Sequence, residues 1–133
     1  MDSISDLTQS HLSAGIKWIL MMSEPNCWNL TSEEAAALCG IATQTYHDIQ
    51  QSVERDLPIV MTADTIERLS LLLGIWKGLQ YLVPNDRQNL AFAWFNKTNS
   101  SALLQNTSIK NYLLQNNTIA SFYVVRDYLN SNS

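Results

Sequence analysis

The chain is poor in the residues that break helices. Only four glycines and three prolines occur in 133 residues, and the alternation of β-branched and polar residues that marks a half-buried strand is rare. Hydrophobic residues make up 46% of the chain, an ordinary share for a folded protein that excludes a largely disordered one. The composition therefore predicts an all-α fold.

The chain also lacks the residue groups that carry catalysis or hold metals. Its two cysteines, Cys27 and Cys39, have no zinc-like spacing, so we expect reduced thiols. Neither His11 nor His47 has a cysteine or carboxylate at ligand spacing. There is no phosphate-binding glycine loop and no nucleophile motif. We therefore expect no enzyme activity, no metal and no cofactor.

Basic residues are scarce and unevenly placed. Eight Lys and Arg against twelve Asp and Glu give a net charge of −4. Residues 1–57 carry −6 and residues 58–133 carry +2. Because affinity for DNA rests largely on Lys and Arg that neutralise phosphates, the charge of the first segment argues against tight DNA binding by this chain alone.

No stretch is apolar enough to cross a membrane. The longest apolar run, residues 62–84, is interrupted by Arg68 and Lys77, whereas a spanning helix needs about 20 predominantly apolar residues. The first residues do not show the basic segment and apolar core of a signal peptide. We expect a cytoplasmic protein that does not bind membranes.

Residues 62–84 predict the longest helix, which Thr62 caps and Pro84 ends. One face holds Ile66, Leu69, Leu73 and Trp76, and the other holds Leu71, Leu72, Ile75, Leu79 and Leu82. A helix with two apolar faces is expected to lie between other elements. Gly74 and Gly78 each cost about 1 kcal/mol relative to alanine. We therefore expect another helix, from this chain or from a dimer mate, to approach closely at the two glycines.

Three helices are predicted before this one, the first from Ser10 to Met22. Thr31 and Glu34 have the spacing of a capping box, and the helix they begin ends at Gly40. Two short helices joined through a glycine have the spacing of a helix-turn-helix. Its candidate DNA-contacting residues are Thr43, Gln44, Thr45 and His47. The alternative that this unit serves as a scaffold or a dimer surface stays open.

Three shorter helices are predicted after the long one. The first covers residues 86–95, and a polar loop over residues 96–107 separates it from a helix capped by Thr107 or Ser108. Thr118 caps the last helix. The predicted organisation is a helix-turn-helix lobe over residues 1–60, a connecting helix over residues 61–84 and a small helical lobe over residues 85–133.

Motifs from the long helix to the last one occur in a characteristic order. They are Ile66–Leu69, Leu72–Lys77, Leu82–Pro84, Ala93–Trp94, Asn99, Ser108 and Val125–Leu129. Together with the helix-turn-helix pattern, they resemble the Xre/ParS/MbcA-type antitoxin family. The chain departs from that family at Thr98, where proline is usual, at Gln105 and Asn106, where glycines are usual, and at Asn111, where aspartate is usual.

The resemblance implies an antitoxin that binds and neutralises a RES-like, NAD-consuming toxin by covering its active site. The implied toxin-binding residues are Trp94, Asn99, Asn111, Arg126 and Tyr128. It also implies a homodimer and, through the helix-turn-helix, binding to the promoter of its own operon. Two alternatives stay open: a DNA-binding repressor without a toxin, and a ParS-like module that localises or adapts another protein.

Overall fold

The structure, a computed structural model, describes the backbone of residues 2–131 and the side chains of residues 9–101 and 103–131. Over this range it is all-α, as predicted, and contains no strand. The helices are α1 (Asp2–Met22), α2 (Ser32–Cys39), α3 (Thr43–Glu54), α4 (Ala63–Tyr81), α5 (Asn89–Asn96), α6 (Ile109–Gln115) and α7 (Ile119–Ser131). Short 3-10 turns at Asn85–Arg87 and Ala102–Leu104 precede α5 and α6. None of the described helices has the length and apolar character needed to cross a bilayer.

Helix α1 begins at Asp2, eight residues before the predicted start at Ser10, so that prediction was wrong. Residues 2–9 contain no glycine or proline that would break the helix. The Gln9 side chain fastens this half of α1 to the segment before α4. Its amide donates to the carbonyl of Ile59 at 2.8 Å and accepts from the Ile59 N–H at 3.1 Å.

The predicted ends of α2 are confirmed. The Glu34 N–H donates to Thr31 Oγ1 at 3.1 Å, and the Thr31 N–H donates to Glu34 Oε1 at 2.9 Å, which completes a capping box. Gly40 ends the helix at φ +74°, a conformation that glycine adopts without steric cost. In α3 the three residues predicted to be buried, Tyr46, Ile49 and Val53, are buried.

One hydrophobic core contains residues from every helix, so the three predicted segments share it. Trp28, in the loop after α1, lies at its centre and is fully buried. Its indole stacks on Phe95 of α5 with the ring centroids 3.8 Å apart and the planes within 8°. The rings of Trp18 and Trp76 meet it edge-on at 5.6 and 6.4 Å. The loop after α1 thereby joins α1, α4 and α5.

The helix that approaches Gly74 and Gly78 comes from this chain and is α7. A Cβ built on Gly78 would lie 2.9 Å from the Cβ of Leu129, and one built on Gly74 would lie 3.0 Å from the Cδ of Arg126. Phe122, Val125 and Leu129 of α7 are buried at this contact. The predicted close approach is therefore confirmed, and it is made within one chain.

The two apolar faces of α4 are covered unequally. Leu71, Leu72, Ile75 and Leu79 are buried, as predicted. On the other face Ile66 is 41% exposed and Leu73 is 39% exposed. That face lies towards α1, where an apolar cleft stays open.

Candidate partner-binding surface

Arg126 lies on α7 with its charge at the protein surface. The aliphatic part of its side chain crosses Gly74 of α4. Its guanidinium carbon lies 4.8 Å from the centroid of the Tyr123 ring, and Nη2 lies 2.9 Å from Oδ1 of Asp127. Both partners are exposed at the surface, so the ion pair is weak in water. Gly74 thus leaves room for the Arg126 side chain. The Tyr123 ring orients the guanidinium, and the exposed Asp127 carboxylate partly neutralises its charge.

The outer edge of α7 is fastened to α4 by Tyr123. Its hydroxyl donates to Glu67 Oε1 at 2.9 Å. This hydrogen bond to a carboxylate, with the negative charge of Glu67, raises the pKa of Tyr123 above its ordinary value. Tyr128, the second candidate residue on α7, is half-buried and packs against the core. Arg126 and Tyr128 are thus both half-buried, and of the two Arg126 carries the charge.

Asn99 and Asn111 lie on either side of the start of α6. The Asn99 N–H donates to the carbonyl of Thr107 at 3.1 Å, and its side-chain oxygen accepts from the Ser101 N–H at 2.7 Å. Ser108 caps α6 by accepting from the Asn111 N–H at 3.0 Å. The loop before α6 is therefore a hydrogen-bonded turn with one asparagine at each end, and the Asn111 side chain is exposed.

The same loop contains two consecutive residues in the left-handed region. Gln105 has φ +56° and Asn106 has φ +60°. These angles suit glycine, and asparagine tolerates them better than most other residues do. They close the turn, because the N–H groups of Leu104 and Asn106 both donate to the carbonyl of Ser101, at 3.2 and 3.3 Å.

Trp94 is half-buried on α5, and the ammonium of Lys97 lies 4.7 Å from the centroid of its ring. The described contacts thus divide the five candidate residues into two groups. Trp94, Asn99 and Asn111 belong to α5 and the loop that leads to α6, whereas Arg126 and Tyr128 belong to α7.

The four candidate DNA-contacting residues lie at the start of α3. Gln44, Thr45 and His47 are exposed and Thr43 is half-buried. The side-chain amide of Gln44 donates to Oδ1 of Asp48 at 3.0 Å, so one amide that would read a base already has an acidic partner. Helix α3 has no Lys or Arg. The role of this helix as a DNA reader stays a prediction.

A buried arginine connects α2, α4 and α7, and the sequence pattern did not identify it. Arg68 Nε lies 2.7 Å from Oδ2 of Asp64. Its Nη1 donates to the side-chain oxygen of Asn117. The guanidinium carbon lies 5.3 Å from the centroid of the Phe122 ring. In the sequence Arg68 was only an interruption of an apolar helix; its spacing four residues after Asp64 was the available signal.

Asn117, which accepts from Arg68, also contacts the end of α2. Its side-chain amide donates to the carbonyl of Ala37 at 2.8 Å, and the Thr65 hydroxyl donates to the carbonyl of Cys39 at 2.8 Å. The carbonyl of Cys39, at the helix end, is thereby satisfied by α4, and the carbonyl of Ala37, which also accepts from the Gly40 N–H at 3.0 Å, gains a second donor. A Cβ on Gly40 would lie only 2.7 Å from Arg68 Nε, so glycine is needed there for space as well as for its φ.

Replacing Arg68 with methionine is expected to lower the free energy of unfolding by about 1–3 kcal/mol, because the half-buried side-chain oxygen of Asn117 loses its charged donor. Asp64, which is partly exposed, can turn to water. Urea unfolding followed by circular dichroism measures the loss. Arg55→Met, at an exposed arginine after α3, is the matched control and should change stability little. Equal effects of the two variants would contradict the assigned role of Arg68.

Neither metal nor thiol chemistry is supported by the described residues. They contain no group of three or more His, Cys, Asp or Glu that could hold a metal ion. Both cysteines are free. Burial raises the pKa of the Cys39 thiol to about 12, so this thiol is protonated at neutral pH and is a poor nucleophile.

Comparisons of the chain with protein-family models, with curated proteins and with solved structures gave no significant match.

Proposed function

We propose that this protein is an antitoxin that binds a RES-like, NAD-consuming toxin and covers its active site with the surface formed by α5, α6 and α7. The proposal starts from the order of motifs in the sequence. It gains support from the way α4 and α7 pack, because Gly74 and Arg126, which come from two separate motifs, are in contact. The motif residues thus have a common structural reason to occur together.

The observation that carries the proposal is the backbone at Gln105 and Asn106. These two positions depart from the glycines of the antitoxin family, yet both have positive φ, at +56° and +60°. A glycine-like backbone is costly for glutamine. Glycine is usual at these two positions in the family, so a backbone that suits glycine supports the proposal that this loop serves as it does there. Asn99 and Asn111 flank that loop.

Arg126 supplies the chemistry that such a partner needs. A site that binds NAD must accommodate phosphates, and the planar guanidinium matches phosphate oxygens in both charge and geometry. Arg126 is half-exposed, and its local partners are the Tyr123 ring and the exposed Asp127. Exchanging a solvent-exposed carboxylate partner for a phosphate-binding pocket would cost little, because exposed ion pairs contribute about 0–1 kcal/mol.

Operator binding is not part of this proposal. The outer surface of α3 has no Lys or Arg, and Gln44 is hydrogen-bonded to Asp48. Since nucleic-acid affinity depends on neutralising phosphates, a surface of this kind favours a scaffold or contact role for α2 and α3.

Co-expression with the RES-like toxin from the same operon tests the proposal. The wild-type chain is expected to restore growth and cellular NAD, and to form a complex with the purified toxin. Arg126→Met combined with Tyr128→Phe should weaken the complex by about tenfold or more, as loss of an interface anchor does. The methionine keeps an aliphatic side chain over Gly74, and so limits the loss of stability.

Arg55→Met is the matched control, since it removes an exposed positive charge elsewhere and should leave neutralisation intact. Isothermal titration calorimetry gives the affinities, and thermal unfolding confirms that all variants are folded. A wild-type chain that neither binds the toxin nor restores NAD would refute the proposal. Full neutralisation by the double variant would remove α7 from the proposed binding surface.

A further inference from the structure

An apolar cleft lies between α1 and α4 and has no part in the proposed function. Its volume is about 540 Å³, within the range of about 300–1,000 Å³ that small-molecule sites occupy. Leu69 and Leu73 of α4 and Trp18 of α1 line it. At Gly15 the two helices are in contact, because a Cβ there would lie 3.5 Å from Cδ1 of Leu69. The cleft therefore has a closed floor.

The described lining of the cleft covers about two turns of each helix. Its lining runs from His11 to Trp18 on α1 and from Ile66 to Leu73 on α4. Seven helical steps of 1.5 Å make each wall about 10 Å long. Met61 lies at one end, where Gln9 holds the neighbouring Ile59 against α1, and Trp18 lies at the other. These dimensions suit a compact molecule better than an extended chain.

The chemistry of the lining limits the occupant further. The described lining residues include no Asp, Glu, Lys or Arg. A charged ligand group would find no counter-charge in the cleft and would lose its hydration, which is costly. The polar side chains are His11 and Ser70, both exposed at the opening. They can each make a hydrogen bond to one polar group of a bound molecule.

Two apolar side chains of the cleft are exposed to water, which is unfavourable. Ile66 is 41% exposed and Leu73 is 39% exposed, on a helix whose opposite apolar face is buried. An apolar occupant would remove both from water, at about 25 cal/mol per Å² of apolar surface covered.

We propose that the α1–α4 cleft binds a small, uncharged and mainly apolar molecule, with one polar group that reaches His11 or Ser70 at the opening. The size of the cleft and the lack of charge among its described lining residues favour this occupant. The site is separate from α5, α6 and α7, so its occupation does not depend on the proposed antitoxin function.

Nile red, a neutral apolar dye, is the probe for a titration of the full chain. The wild type is expected to bind it saturably with one site per chain. Ser70→Phe and Ala14→Phe fill the cleft from α4 and from α1, and each should weaken binding by about tenfold or more. Gln51→Phe places the same side chain on the exposed surface of α3 and should leave binding unchanged. Circular dichroism confirms that each variant is folded.

Three results would overturn the proposal. The first is an absence of saturable binding to the wild type. The second is equal binding by the wild type and both filled variants, which would place the dye elsewhere. The third is a wild-type dimer, seen by sedimentation, that both filled variants convert to monomer. This result would make a second copy of the chain the occupant of the cleft.

Discussion

Trp28→Ala is expected to lower the free energy of unfolding by about 3–5 kcal/mol, as truncation of a buried large aromatic residue does. Trp28 is fully buried and stacks on Phe95 at 3.8 Å, and its ring also meets Trp18 and Trp76. Its removal leaves a cavity that borders three helices. Because domains of this size are stable by about 5–15 kcal/mol, urea unfolding should show a much lower midpoint.

The matched control is Trp28→Phe, which keeps an aromatic ring against Phe95. The indole N–H has no hydrogen-bond acceptor among the described residues, so the phenylalanine variant loses volume and little polar interaction. We expect it to cost clearly less than alanine. Near-ultraviolet circular dichroism, which reports the packing of the aromatic side chains, should change in both variants. Equal stability of the alanine variant and the wild type would show that the loop after α1 does not form part of the core.

The parts of the fold that the sequence predicted are those set by local interactions. The capping box at Thr31, the end of α2 at Gly40 and the cap of α4 at Thr62 each depend on residues within one helical turn. The buried positions of α3 followed in the same way from its periodicity. All of these could be predicted because the determining atoms are close together in the sequence.

Features set by distant partners could not be predicted. Trp28 lies in a loop without helical periodicity, and its burial depends on Phe95, which lies far along the chain. Arg68 is buried because Asn117 and Phe122 come from the other end of the chain.

The candidate partner-binding surface could likewise be predicted only in part. The sequence identified which residues to consider, and the structure placed Asn99 and Asn111 at the two ends of one turn and Arg126 over Gly74. Their roles towards a partner stay predictions, because nothing within the chain determines what binds there. The positive φ angles at Gln105 and Asn106 were not predicted, since glutamine gives no signal for that conformation; the glycines usual there in the family that the chain resembles were the available signal.

Gly78→Leu is expected to destabilise the protein by about 3 kcal/mol, at the upper end of the costs of overpacking. A Cβ at this position would lie 2.9 Å from the Cβ of Leu129, and Cβ atoms move only with their backbone. Helix α7 would have to shift away from α4, which would uncover Phe122 and Val125. The better helix propensity of leucine, worth about 1 kcal/mol over glycine, offsets only part of this cost. Urea unfolding followed by tryptophan fluorescence measures the change.

Gly74 provides the matched comparison, because it lies on the same helix and faces the same partner. There an added Cβ would meet the Cδ and Cγ of Arg126 at 3.0 and 3.3 Å, atoms of a long side chain that can move aside. Gly74→Ala should therefore be neutral or stabilising by up to about 1 kcal/mol, whereas Gly78→Ala, with the same gain in propensity, should be less stable than Gly74→Ala. Because the contact lies within one chain, the loss in Gly78→Leu should not depend on protein concentration. A loss that disappears at high concentration would instead place a second copy of the chain at the glycines.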